Sequence, residues 1–79
     1  MEQEEIFSTV RRLINKEIGN PKEEITLESI FDTDLSINSL EVLGIIMACE
    51  DEFRIEISDE DLEEVKTVAH IVNTIEALV

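Results

Sequence analysis

The segment Asn38-Ser39-Leu40-Glu41 constrains this chain more than any other, because it fixes where a helix begins. Asn38 can accept a hydrogen bond through its side-chain oxygen. Glu41, three residues on, can reach back to the Asn38 amide. This is the reciprocal capping pattern with Asn in place of Ser or Thr. The residues that follow are strongly apolar, so Asp34-Leu35-Ser36-Ile37 is the end of a loop that runs into a helix. Ser39 falls in the first helical turn, held by the fold and open to solvent on one side. A hydroxyl fixed there is well placed to carry a covalently attached group.

The helix itself, about Ser39 to Phe53, is apolar on more than one face. At 100° per residue, Val42, Ile45, Ile46, Cys49 and Phe53 gather in one stripe, the expected core face. Leu40, Leu43 and Met47 form a second stripe more than about 90° away, edged by Glu50 and Asp51. Two readings are open. The helix is central and touches neighbours on both sides, or the second stripe is an exposed apolar edge, rimmed with carboxylates, that suits docking to partners. Methionine suits a surface that must fit several shapes.

Elsewhere the helical period also dominates. Ile6, Phe7, Val10, Leu13, Ile14 and Ile18 recur at three- and four-residue steps, and Gly19-Asn20-Pro21 is a stop signal. Residues 20–38 form a long connection with apolar anchors at Ile25, Leu27, Ile30, Phe31, Leu35 and Ile37, which favour a loop packed onto the body. Ser58-Asp59-Glu60-Asp61 opens a short third helix with Leu62 and Val65 pointing inwards. Thr67 can cap a last helix bearing Val68, Ile71, Val72, Ile75, Leu78 and Val79 at helical spacing. No alternating pattern is long enough to build a sheet. The expectation is all-α, a bundle of three main helices and one short helix. At 79 residues it is one domain, 1–79, with no room for a second core.

Charge narrows the functional classes. Six basic against twenty acidic residues give a formal net charge of −14, and Asp32 to Glu64 holds twelve acids and one base, Arg54. Nothing here neutralises a phosphate backbone, and with three Phe and no Trp or Tyr there is little to stack on bases, so nucleic acid is excluded as a partner. The same charge steers the chain towards basic surfaces on other proteins. The acidic N-terminus lacks the layout of a signal peptide, and no apolar run is long enough to span a bilayer. The expectation is a cytoplasmic monomer.

Catalysis has little support. His70 is the only histidine, beside core positions, and nothing supplies an evident base for Ser39. Cys49 is alone and lies in the core stripe, among acids that raise a thiol pKa, so neither a disulfide framework nor a reactive thiol is expected. Asp32-x-Asp34-x-Ser36 begins like a calcium-binding loop, but the positions that need Gly and Glu hold Ile37 and Leu43. No dedicated metal site is expected.

Taken together, Asp34-Leu35-Ser36-Ile37-Asn38-Ser39-Leu40, Met47-Ala48-Cys49-Glu50-Asp51-Glu52-Phe53, Ile55-Glu56-Ile57-Ser58-Asp59-Glu60-Asp61 and Lys66-Thr67-Val68 resemble an acyl carrier protein from end to end. The resemblance implies a four-helix carrier fold. It also implies 4′-phosphopantetheine, donated by coenzyme A, on the serine matching Ser39. Such a carrier catalyses nothing. It bears acyl groups as thioesters on the thiol of the arm, can shelter them between its helices, and presents them to enzymes of fatty acid, polyketide or related lipid biosynthesis. The implied partners are a phosphopantetheinyl transferase and acyl-transferring, condensing or ligase enzymes with basic docking surfaces. By position, Leu40, Glu41, Leu43, Met47, Glu50, Asp51 and Ile57 would form the recognition surface. Two residues depart from the family pattern: Asn38 where Asp is usual, and Gly44 at a position often acidic, which removes charge and bulk from the docking face. Both point to a specialised carrier. The rival reading is a carrier-shaped acidic interaction module that is never phosphopantetheinylated, with Ser39 only a helix-start residue.

Overall fold

The protein was described from a computed structural model, which defines residues 2–19 and 24–79. Helix α1 (Gln3–Ile18) has Glu4 and Glu5 in its first turn and Lys16 in its last, which matches the helix dipole at both ends. It ends at Gly19, whose φ of 76° is open to glycine and costly for other residues. The rest of the expected stop signal, Asn20-Pro21, lies outside the described residues. Helices α2 (Ser39–Phe53), α3 (Asp59–Glu64) and α4 (Val68–Leu78) follow in chain order. The result is all-α with one short helix, as the helical periods predict.

Each later helix starts on a side-chain cap. Asn38 caps α2, Ser58 Oγ accepts from Asp61 N, and Thr67 Oγ1 accepts from His70 N. Helix α2 ends on Arg54 in the left-handed conformation, its N–H bonded to the Glu50 carbonyl. Helix α1 packs against both α4 and α2. Its buried face, Ile6, Val10, Leu13 and Ile14, meets Ile45, Ile46 and Cys49 of α2 and Val68, Ile71, Val72 and Ile75 of α4 in one core. Burying each such side chain contributes roughly 1.5–3 kcal/mol.

The long loop is part of this core. Ile25, Phe31, Leu35 and Ile37 are buried in it, while Leu27 is half-buried. Backbone bonds lace the loop to the start of α4: Phe31 N to Lys66 O, Val68 N to Ser29 O and Ala69 N to Leu27 O, at 2.9–3.1 Å. Among the described residues the only strand-like pairing is the isolated bridge between Ile30 and Thr67. These bonds satisfy backbone groups that burial would otherwise leave unpaired.

Six apolar residues differ from the periodic expectation. Leu78 and Val79 keep the helical spacing but are exposed, because α4 runs past the end of the core. Leu62 and Val65 are only half-buried, since the short α3 lies over the core instead of entering it. Val42 and Phe53 sit at the edge of the buried α2 stripe and are likewise half-buried.

Candidate functional site

The loop that delivers the chain to Ser39 is tied down residue by residue. The Asp34 carboxylate accepts the Ile30 N–H at 2.9 Å, the Asp34 and Leu35 amides bond to the Ile30 carbonyl, and Ile37 N bonds to Phe31 O at 2.7 Å. Ser36 turns the chain at a φ of 53°, a left-handed conformation that costs a non-glycine residue of order 1 kcal/mol or more. On either side of it Leu35 and Ile37 are both anchored in the core, and that burial holds the turn.

Helix α2 then opens on a complete capping box. Glu41 N donates to Asn38 Oδ1 at 2.9 Å, and Asn38 N donates to Glu41 Oε1 at 3.1 Å. Neither bond uses the Ser39 hydroxyl. Ser39 is exposed at the first position of α2, on a backbone fixed from both sides.

Ser39 opens onto a cleft of about 810 Å³. Ile46, Val42 and Leu43 line its α2 wall, Ile30 and Phe31 its loop wall, and Leu62 and Val65 its third side. Val42 and Ile46, expected only in the core stripe, also line the cleft, and the helical spacing carries that signal. They stand three and seven residues after Ser39, which puts them on its helix face. Lys66 and Glu63 supply charge at the cleft.

On the neighbouring face of α2, Leu40, Leu43 and Met47 are 79, 43 and 57% exposed. The second stripe therefore does not pack on a neighbouring helix. It is the exposed apolar edge of the two readings. Glu41 is half-buried and engaged in the cap, and Asp51 is exposed on the rim. Two of the expected recognition residues are placed otherwise. Ile57 is only 6% exposed, drawn into the core by the turn that follows α2. Glu50 is half-buried and accepts the Ile57 N–H at 2.9 Å, so its carboxylate holds the α2–α3 turn.

The other titratable candidates have structural surroundings. Cys49 is buried, and burial first, then the nearby Glu50 and Glu52 carboxylates, push its thiol up to about 12. The thiolate, the reactive form, is thus suppressed at neutral pH. His70 is half-buried and faces Glu64 at 3.9 Å, with its carbonyl accepting from Thr74 Oγ1.

A family model described as the phosphopantetheine attachment site matches residues 8–75, which includes Ser39, the cleft and the apolar edge. The chain belongs to the acyl carrier protein family. It is 40% identical over 79 residues to an acyl carrier protein of Exiguobacterium sibiricum, covering all of both chains. It is also 40% identical over 73 residues to one of Petrotoga mobilis, covering 92% of this chain and 86% of that one. A solved structure from Mycobacterium tuberculosis, described as a candidate acyl carrier protein, superposes with a TM-score of 0.73 and 29% identity over 95% of each chain. The protein is a non-catalytic carrier, its cofactor is 4′-phosphopantetheine, and the unmodified-module reading is not favoured. No helix among the described residues is long and apolar enough to cross a membrane.

The residues around Ser39 fit that cofactor. Ser39 is exposed, and an apolar-walled cleft lies beside it. When attached, the group supplies a flexible arm whose terminal thiol bears acyl groups as thioesters. The chain's only cysteine cannot take that part, since it is buried and held protonated.

Proposed function

We propose that Ser39 is the attachment point, and that the chain, 1–79 as one carrier domain, is the substrate of a phosphopantetheinyl transferase. The carrying observation is the exposed Ser39 hydroxyl, locked at the start of α2 by the capping box and opening onto the apolar cleft. Attachment makes a phosphodiester: the serine oxygen bonds to the pantetheine-linked phosphorus of coenzyme A as the pyrophosphate P–O bond breaks, and adenosine 3′,5′-bisphosphate leaves. The chain contributes a fixed oxygen and no base, so the proton is taken up by the transferase. A rigid attachment point with a long arm suits a carrier that must deliver one acyl group to several active sites.

The partners follow from the surface around that serine. Leu40, Leu43 and Met47 present apolar area, and the acid-rich stretch around them favours enzymes with basic docking surfaces. In this reading Glu41 and Asp51 face the partner, while Glu50 and Ile57 act from behind by fixing the turn. The partners are the transferase and enzymes that load, extend or remove acyl groups in fatty acid, polyketide or related lipid biosynthesis, all in the cytoplasm.

Incubation of the full chain with coenzyme A and a phosphopantetheinyl transferase, read by intact mass spectrometry, tests the assignment. The expected result is a single adduct of one phosphopantetheine group that is lost in Ser39→Ala. No adduct with any of several transferases, or an adduct that survives Ser39→Ala, would sink it.

A further inference from the structure

Glycine is a poor residue for a helix interior because it loses the most backbone freedom on folding. Gly44 nevertheless stands in the middle of α2. The space beside it is filled: a Cβ there would come within 2.6 Å of Glu17 Oε1 and 3.2 Å of Glu17 Cδ. The obstructing atoms are the end of a flexible, exposed side chain from α1, not backbone. A side chain at position 44 would therefore displace one carboxylate without prising the helices apart. This corrects the expectation that Gly44 strips charge from this face of the helix, since a carboxylate from α1 lies where its side chain would be.

The position of that carboxylate matters. At 100° per residue, Gly44 lies about 40° from Leu40 and about 20° from Asp51, on the side of the apolar edge away from the cleft. Leu40 and Met47 are its neighbours four residues before and three after. Glu17 thus joins Asp51 along one rim of an exposed apolar edge, in a chain whose stretch from Asp32 to Glu64 has twelve acids and one base. That arrangement complements a basic surface carrying apolar contacts at its centre.

We propose that Gly44 is a notch that seats the Glu17 carboxylate on the rim of the α2 edge, and that Glu17 is a docking residue for the basic surface of the phosphopantetheinyl transferase. The assignment rests on the carrier reading above and adds to it a residue from a different helix. Glu17 acts at encounter and not on the reacting atoms, so its effect falls on KM for the carrier and on salt dependence.

The test is steady-state modification of the full chain by a phosphopantetheinyl transferase with coenzyme A, at about 50 mM and about 300 mM NaCl. Glu17→Gln is expected to raise KM about three-fold at the lower salt, the range of one exposed ion pair, and to flatten the salt dependence. Gly44→Ala is expected to raise KM in the same direction while the urea midpoint holds or increases. The double variant should be no worse than Glu17→Gln alone, because the two changes remove one interaction. Glu17→Gln with Gly44→Glu, which returns a carboxylate to the same rim of the helix, should recover the lower KM.

Unchanged KM in Glu17→Gln, multiplying effects in the double variant, or a KM indifferent to salt would each overturn the inference. In those cases modification of the wild-type chain still upholds the carrier reading. If no transferase modifies the wild-type chain, that reading fails and the docking assignment falls with it.

Discussion

On one side of helix α2, Ile45, Ile46 and Cys49 are buried in the core shared with α1 and α4; on the other, Leu40, Leu43 and Met47 are exposed. The two stripes are close in chemistry, all aliphatic or sulfur-bearing. What separates them is the neighbour each one has. The buried stripe joins the core shared with α1 and α4, while of the exposed stripe only Leu43 reaches the cleft and Leu40 and Met47 stand open to solvent. One face of the helix therefore holds the fold and the other is available for partners. With docking on the exposed face as proposed, stability and recognition are separable within a single fifteen-residue element.

The largest break in that comparison comes from the buried side. Ile45 is fully buried at the centre of the core, so Ile45→Ala is expected to cost about 2–5 kcal/mol through lost burial and the cavity left behind. In a domain this small that is a large part of the total stability. Urea unfolding followed by circular dichroism measures it. A loss below about 1 kcal/mol would mean that the two stripes are less different than their burial indicates.

The buried thiol sharpens the same contrast through pH. In the fold, burial and the neighbouring Glu50 and Glu52 carboxylates push the Cys49 thiol up to about 12 from an ordinary value of 9.0. Above 9.0 the unfolded thiol gives up its proton while the folded one keeps it, so the folded state binds more protons and stability falls as pH rises towards about 12. Below 9.0 both states are protonated and the difference vanishes. Urea midpoints of the wild type and Cys49→Ala across this alkaline range isolate the effect. The wild type should lose roughly 1 kcal/mol per pH unit more than the variant. Parallel curves would show that burial at this position does not hold the proton.

At the junction of the two faces stands the cap. Asn38→Ala removes one half of the capping box and should cost about 1 kcal/mol. Asn38→Asp keeps the hydrogen bond and adds a charge that favours the helix N-terminus, so its stability should match or exceed the wild type by up to about 1 kcal/mol. The same substitution restores the acid that the family resemblance expects, and modification by the transferase should become faster. Thermal melts and the initial rate of adduct formation separate the two consequences. An Asn38→Asp variant that gains stability but no rate would assign Asn38 to the cap alone.

Much of this was legible before the structure. The helix starts at Asn38, Ser58 and Thr67 are written in hydrogen-bonding side chains that act within three residues. The two stripes of α2 follow from helical period, whereas the cleft-lining part of Val42 and Ile46 emerges from the structure. What sequence could not supply was contact between distant segments. Nothing in the order of residues says that Glu17 lies on Gly44, that Glu50 turns back to hold Ile57, or that Phe31 bonds to Lys66 and Val68 to Ser29 between the loop and the start of α4. Those are pairings of elements, decided by how the helices cross. Period also overstates burial at element ends, as Leu78 and Val79 show, because a helix keeps its spacing after the core has stopped.

The smallest effect on stability is expected from the exposed side, where it is the more telling one for function. Among the described residues Leu40 is the most exposed of the large apolar ones, and it follows Ser39 directly in the chain. Truncating it to alanine removes a side chain that water already surrounds, and alanine is the better helix former, so Leu40→Ala should shift stability by less than about 0.5 kcal/mol. Any enzyme that engages Ser39 must cover this position, and the partner then buries the leucine that the fold does not. Loss of that burial should weaken docking by roughly ten-fold, the range of one apolar side chain at an interface. Transferase kinetics on Leu40→Ala, set beside its urea midpoint, give both numbers from one preparation. A variant that unfolds more easily but docks as well as the wild type would reverse the roles assigned to the two faces. The predicted opposite, intact folding with impaired docking, leaves each face the task that its burial implies.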